Sequence, residues 1–187
     1  YDPARGRQLG PHTGKVEELG SYGALWDAFE RQLRFWIDVK IRGNQVIERL
    51  FAAYMPAPFL SLLISDCIGR GKDYHDGGAR YNTSYIQGVG LGTVTDALSA
   101  IKSHVYDQRL LTLADLVQAL DDDYVGHEYL RQGLLNRAPK YGNDDPYADA
   151  IMRDVFEAYF GAVDGRPNTR GGCYRINLLP TTVHIYL

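Results

Sequence analysis

The segment "SYIQGVGLGTVTDALSAIKSHVY" (residues 84–106) passes from a short strand pattern through three glycines into an amphipathic helix pattern. Short runs of β-branched and aromatic residues bounded by glycine favour β-strands. The other run of this kind is "CYRINLLPTTVHIYL" at residues 173–187. These two segments are therefore the predicted strands, and most of the remaining chain is predicted to be helical.

The glycines at the junction, Gly88, Gly90 and Gly92, allow two interpretations. A dinucleotide-binding fingerprint would need its third glycine at position 93, where this chain has Thr93, and no lysine follows in the register of a P-loop. Glycine also permits tight turns and the close approach of one backbone to another. We therefore expect these glycines to serve the passage from strand to helix rather than a bound phosphate.

Apolar residues recur every three or four positions in several other regions, which predicts amphipathic helices. These regions are residues 22–54 as one long helix or two shorter ones, residues 56–71 with Cys67 in the last turns, a helix begun by a Thr112–Asp115 capping box, residues 126–137, and a helix that begins at Asp145 and Pro146 and stops at Gly165. Each helix must bury its apolar face against something, and two short strands cannot cover them all.

The missing partner is most simply a larger sheet or barrel whose other strands lie outside these residues. The chain begins without Met and stops inside the apolar run "TTVHIYL". We therefore expect residues 1–187 to form one incomplete domain.

Composition excludes several function classes. The chain has 187 residues and a net charge of −3, its basic residues form no stripe, and no apolar run approaches the roughly 20 residues of a membrane helix. No nucleic-acid or membrane partner is expected. No signal pattern is visible at the N-terminus, and the two cysteines, Cys67 and Cys173, suggest neither a disulfide framework nor a metal site. We expect a cytoplasmic protein with reduced thiols.

Other polar and titratable residues have structural explanations. His75 and Asp76 stand beside two glycines and predict a polar turn, because no second pair of ligands at metal-binding spacing accompanies them. Cys67 has apolar neighbours and is predicted to be a buried core residue. His184 lies between Val183 and Ile185, a pattern typical of a core histidine.

Three longer segments together resemble a known family. They are "LSLLISDCIGRGKDYHDGGARYNTSYIQGVGLGTVTDALSAIK", "PKYGNDDPYAD" and "DGRPNTRGGCYRINLLPTTVHIY". In this order they are similar to the glycyl radical enzymes of the pyruvate formate-lyase superfamily, in particular to its dehydratase and lyase branch. The resemblance implies an α/β fold in which this helix-rich chain is a fragment of a ten-stranded glycyl radical enzyme barrel.

The resemblance also implies an activity. A lyase of this branch eliminates a leaving group from a small polar substrate after a thiyl radical has removed a hydrogen atom, and dehydration of trans-4-hydroxy-L-proline is the best match. Glycerol dehydration, choline cleavage to trimethylamine and arylacetate decarboxylation are the alternatives within the branch. No bound cofactor or metal is implied; a radical S-adenosylmethionine activating enzyme is the implied partner, and a homodimer the implied assembly of the full-length protein.

The chain departs from the family pattern at its catalytic groups. The family's cysteine stands in a Cys-x-Glu loop, whereas Cys67 is followed by Ile68 and Gly69, and Cys173 by Tyr174 and Arg175. In the family that loop precedes the matched region and the radical glycine follows it. The chain alone is therefore expected to be inactive, either as part of an enzyme or, alternatively, as a catalytically silent binding or assembly module.

Substrate contacts are expected on the strand "LLPTTVHIY" (residues 178–186), which resembles a barrel strand that faces the substrate. Side chains alternate along a strand, so Leu179 and Val183 share the face of Thr181, and His184 shares the face of Thr182. The threonine that faces the interior would donate a hydrogen bond to the substrate. The sequence leaves open which of the two it is, and also whether a local bulge at Pro180 disturbs the alternation.

Overall fold

The computed structural model describes residues 4–179 of the chain. Within that range the elements in order are α1 (Tyr22–Tyr54), α2 (Pro58–Leu62), α3 (Ser65–Arg70), β1 (Ser84–Val89), α4 (Leu91–Ile101), α5 (Leu113–Asp121), α6 (Glu128–Arg137), α7 (Pro146–Val163) and β2 (Tyr174–Leu179). Short 3-10 turns at Val16–Glu18 and Tyr74–Asp76, and a π-helical segment at Lys102–Asp107, complete the set. None of the described helices is both long and apolar enough to cross a membrane.

The two predicted strands form one parallel pair. Ser84 lies opposite Tyr174, and the register continues without a break to Val89 opposite Leu179. β1 alternates strictly between buried and exposed side chains. The predicted strands are confirmed as far as Leu179.

Residues 22–54 form a single helix, which decides between the two alternatives that the sequence allowed. Ile37 and Ile41 of this helix are buried, with 6% and 1% of their surfaces exposed. A Cβ atom at Gly43 would meet no heavy atom within 4 Å, so this glycine interrupts neither the helix nor its packing.

The prediction of one helix over residues 56–71 is wrong, because the chain forms α2 and α3 with a break between them. Ile64 is extended, with φ −114° and ψ 110°. The carboxylate of Asp73 accepts hydrogen bonds from the Ala57 amide at 2.9 Å and from the Ser61 hydroxyl at 2.7 Å. These tertiary bonds fix the first short helix in place and override the local helical pattern.

The helix that follows the glycines extends beyond α4 with a change of winding. At its C-terminal end the Lys102 ammonium lies 2.7 Å from the Asp107 carboxylate. The Tyr147 hydroxyl donates to the same carboxylate at 2.8 Å. Because residues five apart face each other on a π-helix, this ion pair fits the π-helical winding of the segment.

The predicted helix ends are confirmed. The Thr112 hydroxyl accepts from the Asp115 amide at 3.1 Å, while the Asp115 carboxylate accepts from the Thr112 amide at 2.9 Å. Asp145 accepts from the Tyr147 amide at 3.0 Å at the start of α7. Gly165, just after α7, has a φ of +75° that favours glycine.

The chain divides into two compact units. The first comprises residues 1–33 and 90–158, and its apolar centre is formed by Leu98, Ile151 and Val155. The second comprises residues 34–89 and 159–187 and holds the sheet. Within the second unit Tyr174 is fully buried and the Tyr159 hydroxyl donates to the Ile86 carbonyl at 2.7 Å.

Candidate functional site

Of the five residues predicted to contact substrate, the structure places one. Leu179 is the last residue of β2 and is 41% exposed. Thr181, Thr182, Val183 and His184 lie outside the described residues, so their predicted roles stay predictions. The part of the candidate site that the structure describes is therefore the two-stranded sheet that ends at Leu179.

One face of the sheet is open within the described residues. Its three pairs are Tyr85 with Arg175, Gln87 with Asn177, and Val89 with Leu179. Tyr85 is 60% and Val89 54% exposed, and the polar members are exposed as well. Parallel sheets are ordinarily covered on both faces, so this open face is a surface suited to contact with a ligand or with more polypeptide.

The opposite face, called the covered face below, is buried at Ser84, Ile86 and Tyr174, whereas Leu178 at its far end is 38% exposed. It begins with a polar cluster around Glu48 of α1. The Glu48 carboxylate accepts from the Ser84 hydroxyl in a very short hydrogen bond, from the Thr169 amide at 3.0 Å and from the Thr169 hydroxyl at 2.8 Å. The Tyr174 hydroxyl lies 3.4 Å from the same group. We call Glu48, Ser84, Thr169 and Tyr174 the strand-start cluster, because Ser84 and Tyr174 are the first residues of the two strands.

The Ser84 hydroxyl has all of its hydrogen-bonding capacity in use. It accepts from the Asn168 side-chain amide at 3.0 Å and from the Arg170 guanidinium at 3.3 Å, and it donates to Glu48. A hydroxyl has one proton and two lone pairs. Its proton is therefore committed to the carboxylate, and the charged Arg170 donor strengthens that bond by polarising the hydroxyl.

The electrostatics of the cluster follow from these contacts. Burial alone would raise the pKa of Glu48, but hydrogen bonds from Ser84 and Thr169 together outweigh it and hold the pKa below its ordinary value. Burial, followed by the nearby Glu48 charge, raises the pKa of Tyr174 to about 12. At neutral pH the cluster therefore contains one carboxylate surrounded by neutral hydroxyl donors.

The loop that enters β2 is folded tightly against the chain just before β1. The Asn168 side chain accepts from the Arg170 and Gly172 amides at 3.0 and 2.8 Å and donates to the Asn82 carbonyl at 2.5 Å. A Cβ atom at Gly172 would lie 2.7 Å from the Asn82 carbonyl carbon, and one at Gly77 would lie 3.1 Å from the Arg170 carbonyl carbon. Two backbones thus approach each other where only glycine fits.

The glycines at the junction of β1 and α4 only partly have the roles that the sequence predicts. Gly90 has a φ of +81° and precedes the first residue of α4, as the predicted passage from strand to helix requires. Gly92 makes no close approach, since its Cβ would lie 3.9 Å from the Tyr141 ring. The expectation of close backbone contact is therefore wrong at Gly90 and Gly92, and it stays a prediction at Gly88. The close backbone contacts fall instead at Gly77, Gly78 and Gly172.

The remaining predicted residues lie where the sequence suggested. Cys67 is 3% exposed and is thus a core residue, with its sulfur next to Gly78. His75 lies in the 3-10 turn Tyr74–Asp76, which the Asp73 side chain caps by accepting from the His75 amide at 2.8 Å. Among residues 4–179, no group of three or more His, Cys, Asp or Glu side chains could hold a metal ion.

The first unit carries a separate groove of about 820 Å³. It is lined by residues of the segments 16–22 and 105–115. The Tyr22 hydroxyl on its wall is buried without a hydrogen-bond partner, and burial raises the pKa of this tyrosine to about 12. Leu179, the one predicted substrate-binding residue that the structure describes, does not line this groove.

Comparison with known proteins shows what the chain is similar to. It is 51% identical over 186 residues to trans-4-hydroxy-L-proline dehydratase of Clostridioides difficile, which covers all of this chain and 24% of that protein. The solved structure of hydroxyproline dehydratase from that organism, with trans-4-hydroxy-L-proline bound, superposes with a TM-score of 0.93, again over 100% of this chain and 24% of the other.

More distant relatives have other substrates. The (2S)-3-sulfopropanediol dehydratase of Klebsiella oxytoca is 36% identical over 89% of this chain and 20% of its own length. The glycerol-bound B12-independent glycerol dehydratase of Clostridium butyricum superposes with a TM-score of 0.89 at 35% identity, over 96% of this chain and 23% of its own. The chain thus spans between a fifth and a quarter of the length of these relatives.

In agreement with these similarities, residues 1–187 match the family model of the pyruvate formate lyase-like proteins. The chain belongs to the pyruvate formate lyase-like family.

Proposed function

We propose that the chain is part of a glycyl radical dehydratase that acts on trans-4-hydroxy-L-proline. The observation that carries the proposal is the 51% identity, over the whole chain, to a dehydratase of that substrate, together with the TM-score of 0.93 to a structure that has the substrate bound. Relatives that act on glycerol and on sulfopropanediol are only 35% and 36% identical.

In such an enzyme the glycyl radical supplies the oxidising power that lets a cysteine thiyl remove a hydrogen atom from the substrate. The chain's own residues would bind and orient that substrate. Cys67 is buried in the core, and neither it nor Cys173 has the Cys-x-Glu context, so both are proposed to be non-catalytic. The catalytic groups then lie elsewhere in the complete protein, and the chain alone is inactive.

The open face of the sheet supports an assignment of the substrate threonine. Leu179 lies on this face with Asn177 and Arg175, and all three are exposed; on the other face Tyr174 is fully buried, although Leu178 is 38% exposed. Alternation that continues without a bulge at Pro180 would put Thr181 with Leu179 and Thr182 with the covered face. We therefore propose Thr181 as the donor to a carboxylate or hydroxyl of the substrate, with Val183 beside it, and Thr182 and His184 as residues bonded within the protein.

The wider setting follows from the family. The complete protein is proposed to be a cytoplasmic homodimer activated by a radical S-adenosylmethionine enzyme. Water must be excluded from radical chemistry of this kind, which agrees with substrate binding inside a barrel.

The experiment that tests the proposal is a substrate panel. The complete protein that contains this chain is activated anaerobically, its radical is counted by electron paramagnetic resonance, and kcat/KM is measured for trans-4-hydroxy-L-proline, glycerol, choline and 4-hydroxyphenylacetate. We expect hydroxyproline to exceed the others by at least about hundredfold, since a site built around polar groups rejects substrates that leave them unpaired. Preference for another member of the panel, or a formed radical with no turnover, would contradict the proposal.

Replacement of Cys67 or Cys173 by Ala adds a second arm to this experiment. Radical formation and turnover should both stay measurable in each variant. A folded, fully activated variant with no turnover would show that the thiol is catalytic.

A further inference from the structure

We propose that Glu48 is a positioning residue of the dehydratase: its carboxylate sets the register and placement of β2, the strand that leads to the substrate threonine. The inference rests on the proposed function, because the strand matters for catalysis only if it continues into the substrate site. Nothing in the residue's own surroundings in sequence marks it, since its partners lie 36 and 121 positions further along the chain.

The contacts require a group that only accepts hydrogen bonds. Three short donors converge on Glu48: the Ser84 hydroxyl, the Thr169 amide and the Thr169 hydroxyl. The Ser84 hydroxyl and the Thr169 amide bind different oxygens of the carboxylate, Oε1 and Oε2. Only a carboxylate offers acceptor sites on both of its outer atoms.

A glutamine at this position would strand one donor in either orientation of its amide. If its NH₂ faced Thr169, two N–H groups would oppose each other. If it faced Ser84, the serine could not accept from it, because Asn168 and Arg170 already occupy the lone pairs of that hydroxyl. Ser84 is buried, and Thr169 is half-buried. A donor left without an acceptor at either residue is costly, so the charge-neutral replacement should disturb the cluster despite its equal size.

The cluster controls strand placement because it holds both members of the first strand pair. Ser84 and Tyr174 are Cα partners, and both side chains reach Glu48 Oε1. A shift of β2 by one residue would move Tyr174 out of reach and exchange its covered and open faces. Leu179, five residues further along β2, would change faces with it, and so would every residue that continues the alternation.

The chain offers a matched control on the same helix. Asp38 of α1 binds the Arg166 guanidinium at 2.5 Å, and its carboxylate bonds to neither strand among the bonds that the structure gives it. Arg166 accepts from the Tyr174 amide at 2.7 Å through its backbone carbonyl, a bond that Asp38→Asn leaves in place. Glu48→Gln and Asp38→Asn both convert a carboxylate of α1 into the amide of the same length. Glu48→Gln removes a carboxylate that binds the first residues of both strands, whereas Asp38→Asn removes one that does not.

The test combines exchange and kinetics on the complete, activated protein. Hydrogen exchange followed by mass spectrometry should show amides of the 84–89 and 174–179 peptides exchanging at least about tenfold faster in Glu48→Gln, and within about twofold of wild type in Asp38→Asn. kcat/KM for hydroxyproline should fall at least about tenfold in Glu48→Gln with an unchanged spin count, and stay within about twofold of wild type in Asp38→Asn. If Glu48 only stabilised the fold, kcat/KM would fall in each variant in proportion to the fall in its melting temperature.

Each outcome decides a claim. Unchanged exchange in Glu48→Gln would overturn the positioning role, and so would faster exchange with wild-type kcat/KM. A wild-type protein that turned over no substrate would overturn the proposed function alone, because the exchange data would still show whether Glu48 holds the strands. If Glu48→Gln does not fold, Ser84→Ala removes one donor and leaves the carboxylate; it should give a smaller change in the same direction, and no change would overturn the proposal.

Discussion

Substitution of Gly172 by Ala tests the close contact between the loop that enters β2 and the chain before β1. The added Cβ would lie 2.7 Å from the Asn82 carbonyl carbon and 3.2 Å from the Asn82 Cβ. Both neighbours belong to the backbone or lie directly on it, so no flexible side chain can yield. The φ of Gly172 is not in the left-handed region, and the expected cost is therefore steric rather than conformational.

The magnitude follows from the atoms that must move. Overpacking a well-filled site costs typically 1–3 kcal/mol. The displaced loop would also weaken the bond from the Gly172 amide to the Asn168 side chain, at 2.8 Å, which adds about 1 kcal/mol. We expect a loss of about 2–4 kcal/mol in the free energy of local opening, or about thirtyfold to several-hundredfold faster exchange, since 1.4 kcal/mol is a factor of ten.

Native-state hydrogen exchange measures this quantity at the Ser84 and Tyr174 amides, which bond to the Cys173 and Arg166 carbonyls. Gly69→Ala is the control: Gly69 lies in α3, no heavy atom is within 4 Å of its would-be Cβ, and alanine in a helix is favoured by about 0.5–1 kcal/mol. Equal exchange in wild type and Gly172→Ala would refute the argument from close contact. So would equal destabilisation by the two substitutions.

Three further predictions concern caps, turns and pH. Thr112→Ala should cost about 1 kcal/mol of stability through loss of the capping box, and a melting temperature equal to that of wild type would count against it. Gly90→Ala should cost about 1 kcal/mol of stability because Gly90 has a φ of +81°. Neither NAD nor ATP should raise the melting temperature of wild type. A nucleotide that raised it in wild type but not in Gly90→Ala would mean that the glycines bind phosphate. The pKa of Glu48 is lower in the folded than in the unfolded protein, so its carboxylate stabilises the fold. This stabilisation is complete above the ordinary carboxyl pKa of about 4.3 and is lost as pH falls through the folded-state pKa. The free energy of unfolding measured from pH 6 down to pH 3 should therefore fall less in Glu48→Gln than in wild type.

The elements that the sequence predicts well are those fixed by local chemistry. The capping box at Thr112, the proline start of α7 and the alternation of β1 each depend on residues within a few positions of one another. The break at Ile64 has no local signal, so the sequence predicts one continuous helix there. It depends on Asp73, whose carboxylate reaches back 12 and 16 residues to Ser61 and Ala57.

The candidate site shows the same division. The neighbours of Leu179 in the sequence predict that it lies on a strand. The sequence of the 168–172 loop forms part of a segment that resembles the family. The bonds from Ser84 and Thr169 to Glu48 join residues 36 and 121 positions apart. The contact of Gly172 with Asn82 likewise joins segments that are far apart in the sequence. The residues next to a polar residue on a helix do not indicate such distant partners, so the sequence does not predict the strand-start cluster.

The most direct test of the account compares Thr181→Val with Thr182→Val in the complete, activated protein. Valine keeps the shape of threonine and removes its hydroxyl, so loss of a substrate hydrogen bond should lower kcat/KM for trans-4-hydroxy-L-proline by about tenfold to hundredfold in Thr181→Val, with the radical count unchanged. Thr182→Val should instead lower the melting temperature and leave kcat/KM within about twofold of wild type. Wild-type kinetics in both variants, or the larger loss in Thr182→Val, would contradict the assignment of this strand face to the substrate.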